Sequence, residues 1–124
     1  MIGARNHEKL LAFTHHARMK MEFYRLSEAR VRRVLNSPKR VEEGVAPKTV
    51  AMMQPGTMKT AMGRAGAEKK ESWTQEIWVM IQDAGTRRKV ISAWRYPGVT
   101  KPRGAAEVGF MRKEYEEFVA KGKN

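Results

Sequence analysis

The chain has no cysteine. That excludes disulfides, thiolate metal sites and a cysteine nucleophile. Its three histidines, His7, His15 and His16, have no second ligand cluster at a suitable spacing, so neither a metal nor a cofactor is expected. No apolar run approaches the roughly 20 residues that a membrane-spanning helix needs. The first residues, Met1 to Glu8, lack the apolar stretch of a signal peptide. The expectation is a cytoplasmic protein without a membrane partner. Acid is also scarce: 13 Asp and Glu stand against 25 Lys and Arg, a formal charge of +12.

That surplus is uneven. Residues 105–124 balance four bases with four acids, so the excess lies on the first 104 residues. Nucleic acid is the usual partner of such a surface, because neutralised phosphates release counterions. An acidic protein partner is the other class that fits, and charge held only for solubility is the blandest one. At 124 residues the chain is expected to form one domain with a substantial core.

Residues 1–13 read as a loosely held N-terminal arm ending in an apolar anchor, Leu10-Leu11-Ala12-Phe13. Thr14 offers an N-cap for a helix over 15–25. On that helix Ala17, Met21 and Tyr24 form one stripe, and Met19, Phe23 and Leu26 form another. Two stripes predict a helix buried between layers. Ser27 caps a second helix over 28–36, whose apolar face is Val31, Val34 and Leu35 and whose end is Asn36-Ser37-Pro38.

Strand material follows at Arg40–Val45 and Lys48–Gln54. Residues 53–72 lose all periodicity and read as a mobile insertion within a hairpin. Gln75–Gln82 alternates Ile77, Val79 and Ile81 with Trp78 and Met80. Asp83-Ala84-Gly85 then predicts a three-residue loop that pairs Trp78 with Val90, Ile77 with Ile91 and Glu76 with Ser92. On this register Ile91 and Ala93 share the aliphatic face, whereas Arg88, Val90, Ser92, Trp94 and Tyr96 share the other. A last helix over 105–121 carries the stripe Val108, Met111, Tyr115, Phe118 and Val119. The order α-α-β-β-β-β-α predicts an α+β domain: two N-terminal helices on a small, mostly antiparallel sheet, plus a C-terminal helix.

The run Thr14-His15-His16-Ala17-Arg18-Met19-Lys20-Met21 has the form T-x-H-A-x-x-[RK]-M. With Leu26-Ser27, Pro38 and the late Val90-Ile91-Ser92-Ala93-Trp94-Arg95, it resembles an uncharacterised family of small bacterial and phage domains. That family is distantly similar to the BrnT and RelE/ParE-type toxins. The resemblance covers about residues 13–54 and 73–97. It implies an RNA-interacting, toxin-like domain, with cleavage of RNA, often on the ribosome, as the activity of several toxin relatives. It also implies that His16 rather than His15 is the family histidine, Lys20 the basic position and Ser92 the hydroxyl of the last strand. Two departures stand out: Tyr24 where Arg is common, and the long insertion at 53–72.

Metal-independent RNA cleavage needs a base, an acid and cations around the phosphorane. His16 and Lys20 are four apart on one helix face. Arg88 and Arg95 are candidates to hold phosphate, and Glu76 or Tyr96 to move a proton. His16, Lys20, Arg88, Ser92 and Arg95 thus form the candidate catalytic set. Three of them have a plainer reading: a histidine after an N-cap is often structural, a strand serine is often satisfied by its neighbour, and Arg88 fits a solvated edge charge. Candidate RNA contacts are Arg18, Arg33, Lys59, Lys69, Lys70, Lys101 and Arg103, with Trp94 and Tyr96 as stacking surfaces. The tryptophans are core instead if the last helix covers them. A non-catalytic RNA- or ribosome-binding domain, and a module for an acidic protein partner, are the alternatives to a ribonuclease.

Overall fold

A computed structural model describes residues 10–61 and 70–124. Its elements are β1 (Leu10–Phe13), α1 (His15–Tyr24), α2 (Glu28–Asn36), β2 (Arg40–Glu43), β3 (Thr49–Pro55), β4 (Lys59–Ala61), β5 (Lys70–Ser72), β6 (Glu76–Ala84), β7 (Arg87–Tyr96) and α3 (Ala105–Ala120). The fold is α+β. Five strands form one sheet in the order β1-β7-β6-β3-β2, and β4 pairs with β5 in a separate two-stranded ribbon.

Both helix caps form as the sequence predicts. The Thr14 hydroxyl accepts from Ala17 N–H and the Ser27 hydroxyl from Arg30 N–H. Helix α1 ends at Arg25, whose left-handed backbone (φ 57°) closes the last turn. The arm is tied more firmly than expected. Its last four residues are an edge strand that pairs parallel with β7, Leu10 opposite Arg87 and Phe13 opposite Val90. Residues 1–9 lie outside the described part.

The insertion expected over 53–72 is smaller than predicted. Met53, Gln54 and Pro55 continue β3 against β6, and Lys59 to Ala61 pairs with Lys70 to Ser72. Residues 62–69, Lys69 among them, lie outside the described part.

The β6–β7 hairpin corrects the predicted register. Ala84 pairs with Arg87, so the loop is two residues, Gly85-Thr86, with Gly85 supplying φ +61°. Trp78 faces Trp94, Ile77 faces Arg95 and Glu76 faces Tyr96. The pairing shifts where Met80 opposes Ser92 but Ile81 opposes Val90, leaving Ile91 as the extra residue of a β-bulge. The bulge exchanges faces. Val90 joins Ile77, Val79, Ile81 and Ala93 under α1 and α2, while Ile91 joins Trp78, Met80 and Trp94 under α3. Alternation puts Arg88 with Val90, not with Ser92.

Each sheet face therefore has its own core. On one, Ala17, Met21, Leu26, Val31 and Val34 close over the aliphatic side. On the other, Met111 and Phe118 close over the tryptophans, with Phe110, Tyr115 and Val108 half-buried around them. Of the second stripe on α1 only Leu26 is buried; Met19 is 41% and Phe23 74% exposed. The buried stripe of α3 also differs from the apolar one. It is Glu107, Met111, Glu114 and Phe118, and Val119 is exposed. The helix is rotated so that two carboxylates enter the interior, where cations and hydroxyls meet them.

Candidate functional site: a buried carboxylate hub beneath the last helix

Helix α1 runs along the exposed side of β7, beyond the point where β1 stops. Thr14 anchors its start: its N–H reaches Val90 O at 3.1 Å and its hydroxyl donates to the same carbonyl at 2.9 Å, at the bulge. From there His16 and Lys20 project toward α3. Ser92, on the α3 side of β7 with Trp94, points to the same spot. The three meet on Glu114. Oε1 of Glu114 lies 3.2 Å from His16 Nε2 and accepts from Ser92 Oγ at 2.5 Å; Oε2 pairs with Lys20 Nζ at 3.0 Å. Lys121 Nζ lies 3.3 Å from His16 Nδ1. An ammonium can only donate, so these partners select the neutral tautomer with the proton on Nε2.

This geometry unites three of the five candidate catalytic residues and separates the other two. Arg88 pairs with Asp83 across the start of the hairpin, and Arg95 lies at the far end of β7 on the opposite face from Ser92. At about 3.3 Å per residue their backbone positions are roughly 20 Å apart. The Arg95 guanidinium donates to Tyr24 O at 2.8 Å, Arg25 O at 3.4 Å and Gln75 Oε1 at 2.8 Å. It caps the carbonyl end of α1.

The hub itself is built as support. His16 is 1% and Ser92 0% exposed. The serine donates to the carboxylate, not to the imidazole, so the histidine does not activate it. The Nδ1 lone pair of His16 is occupied by Lys121. Burial disfavours the imidazolium, and neighbouring Lys121 and Lys20 add to this; the Glu114 carboxylate opposes them but does not prevail, so the His16 pKa lies below 6.5. Lys20 goes the other way. Burial disfavours its charge, but Glu114, Tyr24 and Glu117 more than compensate, and its pKa is raised. His16, Glu114 and Glu117 bring donor atoms within 4.8 Å of one another. Lys20 Nζ, 3.0 Å from Glu114 and 3.8 Å from Glu117, stands where a cation would sit between the carboxylates.

The depressed His16 pKa has a measurable consequence. The unfolded chain takes up a proton below pH 6.5 that the folded chain refuses until lower pH. The stability contribution is therefore complete above 6.5 and lost as pH falls toward the folded pKa. Glu107, raised mainly by burial against the opposing pull of Arg103 N–H and Arg40, works in the opposite sense at more acid pH. Urea midpoints measured from pH 7.5 to 5.5 should fall in the wild-type protein and fall less in His16→Gln. Parallel profiles would refute the assignment.

A second carboxylate anchors the loop that leads into α3. Glu76 is fully buried and accepts from Trp73 Nε1, Trp78 Nε1, Thr100 N–H and the Thr100 hydroxyl at 2.7–3.1 Å. Arg40 bonds Glu107 and donates to Thr100 O at 2.8 Å, with its guanidinium 5.2 Å from the Trp78 ring centre. A carboxylate with all its acceptor positions occupied is not poised to move a proton, which corrects the proton-transfer reading of Glu76. Among the described residues no buried side-chain nitrogen or oxygen is left without a partner.

The candidate RNA contacts divide similarly. Trp94 is 1% exposed, its ring parallel to Trp78 at 6.2 Å and to Phe110 at 6.4 Å, so it is core and not a stacking platform. Tyr96 is half-buried, edge-on to Phe110. By contrast Arg18, Arg33, Lys59, Lys70, Lys101 and Arg103 are all exposed. Arg18 and Arg32 sit 5.1 and 5.7 Å from the ring centre of Phe13, which draws them into one local cluster. Glu114 was hidden from sequence reading by the helix's balanced charge. The available signal was its position: Glu107, Met111, Glu114 and Phe118 follow i, i+4, i+7, i+11 spacing.

Compared with protein-family models, curated proteins and solved structures, the chain matches none. No helix among the described residues is long and apolar enough to cross a membrane.

Proposed function

We propose that this chain is an RNA-binding domain of toxin-like architecture that acts through its basic surface and not through cleavage. One observation carries this reading. The buried carboxylates Glu114 and Glu107 pair with Lys20 and Arg40, and Asp83 pairs with buried Arg88, so most of the positive surplus is left to exposed side chains. Arg18, Arg25, Arg32 and Arg33 on the helical hairpin are all exposed, with Arg18 and Arg32 together at Phe13. The pairs Arg18–Glu28 and Arg103–Glu43 are exposed and weak, so phosphate can displace their carboxylates. Cleavage is disfavoured by burial: His16 and Ser92 would have to leave Glu114 before touching a substrate.

Binding to a single-stranded RNA oligomer, followed by anisotropy as salt is raised, tests the reading. The affinity should fall steeply, with a log–log slope of about −0.7 per phosphate contacted. The double variant Arg18→Ala/Arg32→Ala should weaken binding on the order of tenfold at low salt and flatten that slope. RNA incubated with the protein should stay intact. Cutting that is abolished by His16→Ala would replace this reading with the ribonuclease one. Failure to bind RNA at about 50 mM salt would sink it and favour an acidic protein partner.

A further inference from the structure

The structure buries the aromatic residues that composition offers for stacking, and leaves one ring in solvent instead. Phe23, at the last turn of α1, is 74% exposed. A large apolar side chain so exposed costs solubility and, singly, needs no explanation. Three features set this one apart. It is held: its ring and that of Tyr24 meet at 86°, centroids 4.8 Å apart, while most of its surface stays in water. It is flanked by cation: Lys20 Nζ lies 6.0 Å from its centre and 5.5 Å from that of Tyr24, fixed there by Glu114. And it continues a stripe: Met19, one turn earlier, is 41% exposed, and Lys121 Nζ reaches its sulfur at 3.4 Å.

The surrounding electrostatics favour an anion-bearing ligand. A helix C-terminus normally repels phosphate, but here Arg95 covers the carbonyls of Tyr24 and Arg25. Arg25 itself is exposed two residues beyond Phe23, and Lys121 stands at Met19, one turn before it. The opposing charges nearby are Glu22, exposed beside the ring, and Glu117, which Lys20 faces at 3.8 Å.

We infer that Phe23 is a stacking site for an unpaired nucleobase of single-stranded RNA, with Arg25 and Lys121 placed for the flanking phosphates. This rests on the RNA-binding reading above and adds to it a preference for unpaired strand. A base stacks on a flat aromatic ring irrespective of sequence, whereas a duplex hides its base faces. The charged cluster around Phe13 has no ring so exposed and would hold duplex and single strand alike.

The test compares one RNA length as single strand and as duplex, against wild type, Phe23→Ala, Phe23→Leu and Arg18→Ala/Arg32→Ala. Phe23→Ala should lose about tenfold in single-strand affinity, keep its duplex affinity and keep the salt slope. Phe23→Leu guards against misfolding and should behave the same way, both variants melting within a few degrees of wild type. Phe23→Trp should retain wild-type binding and give an indole quenched by the bound base. If the Phe23 variants bind single strand as wild type does while the arginine variant is weakened, the charge reading stands and the stacking site is wrong; the ring then serves a protein contact. Equal loss on single strand and duplex also overturns it. If the wild-type protein binds no RNA, both readings fall together.

Discussion

Glu114→Ala should destabilise the protein by roughly 3–5 kcal/mol, the cost of leaving a buried ion pair with one member. Lys20 would lose its principal counter-charge, and His16 and Ser92 would both lose their acceptor. For a domain of this size that corresponds to a fall in melting temperature of roughly 10–20 °C. It is also a large part of the ~5–15 kcal/mol that holds a domain together. Glu114→Gln keeps an oxygen acceptor and the side-chain volume, so about 1–2 kcal/mol is expected from it. The ordering of these two variants is the informative result, because a merely space-filling Glu114 would give two small and equal losses. Replacing the pair together, Lys20→Met with Glu114→Leu, should recover part of the single-variant loss. Calorimetry or urea titration at pH 7.5 measures all three.

Trp94→Ala should cost about 3–5 kcal/mol. The indole is sandwiched between Trp78 and Phe110 and forms the centre of the core that holds α3 on the sheet. Trp94→Leu, which keeps most of the apolar volume, should lose less. The same variants discriminate between core and contact surface. At a temperature where Trp94→Leu remains folded, its RNA affinity should equal that of the wild type, because the ring never reaches solvent. A tenfold loss of affinity in a stably folded Trp94→Leu would show that α3 moves aside to expose it.

Much of the framework was legible in the chain. Thr14 and Ser27 mark both helix starts because their hydroxyls satisfy orphan backbone donors, a local interaction needing no tertiary partner. The alternation of Ile77, Val79 and Ile81 with Trp78 and Met80 likewise assigns β6 to two different environments, and each forms its own core. The T-x-H-A-x-x-K-M run puts His16 and Lys20 on one helix face, and they do converge, though on a carboxylate and not on a substrate cleft.

What tertiary structure decided lies wherever a single residue of offset matters. The bulge at Ile91 carries no mark in the local sequence, yet it reverses the faces of Val90 and Ile91 while leaving Ser92 and Trp94 where alternation put them. The rotation of α3 depends on partners far away in the chain: Arg40 for Glu107, and Lys20, His16 and Ser92 for Glu114. Hydrophobic periodicity alone points to Val108 and Tyr115, because it assigns no value to a carboxylate whose buried charge will be met. The exposure of Phe23 is of the same kind. From spacing it belongs to an apolar stripe, but among the described residues no element covers that side of α1 and the ring stands in water. Local chemistry thus determined where the elements begin and which of them are amphipathic. The pairing of charges across 60 to 100 residues of chain determined which faces close and which remain open to a ligand.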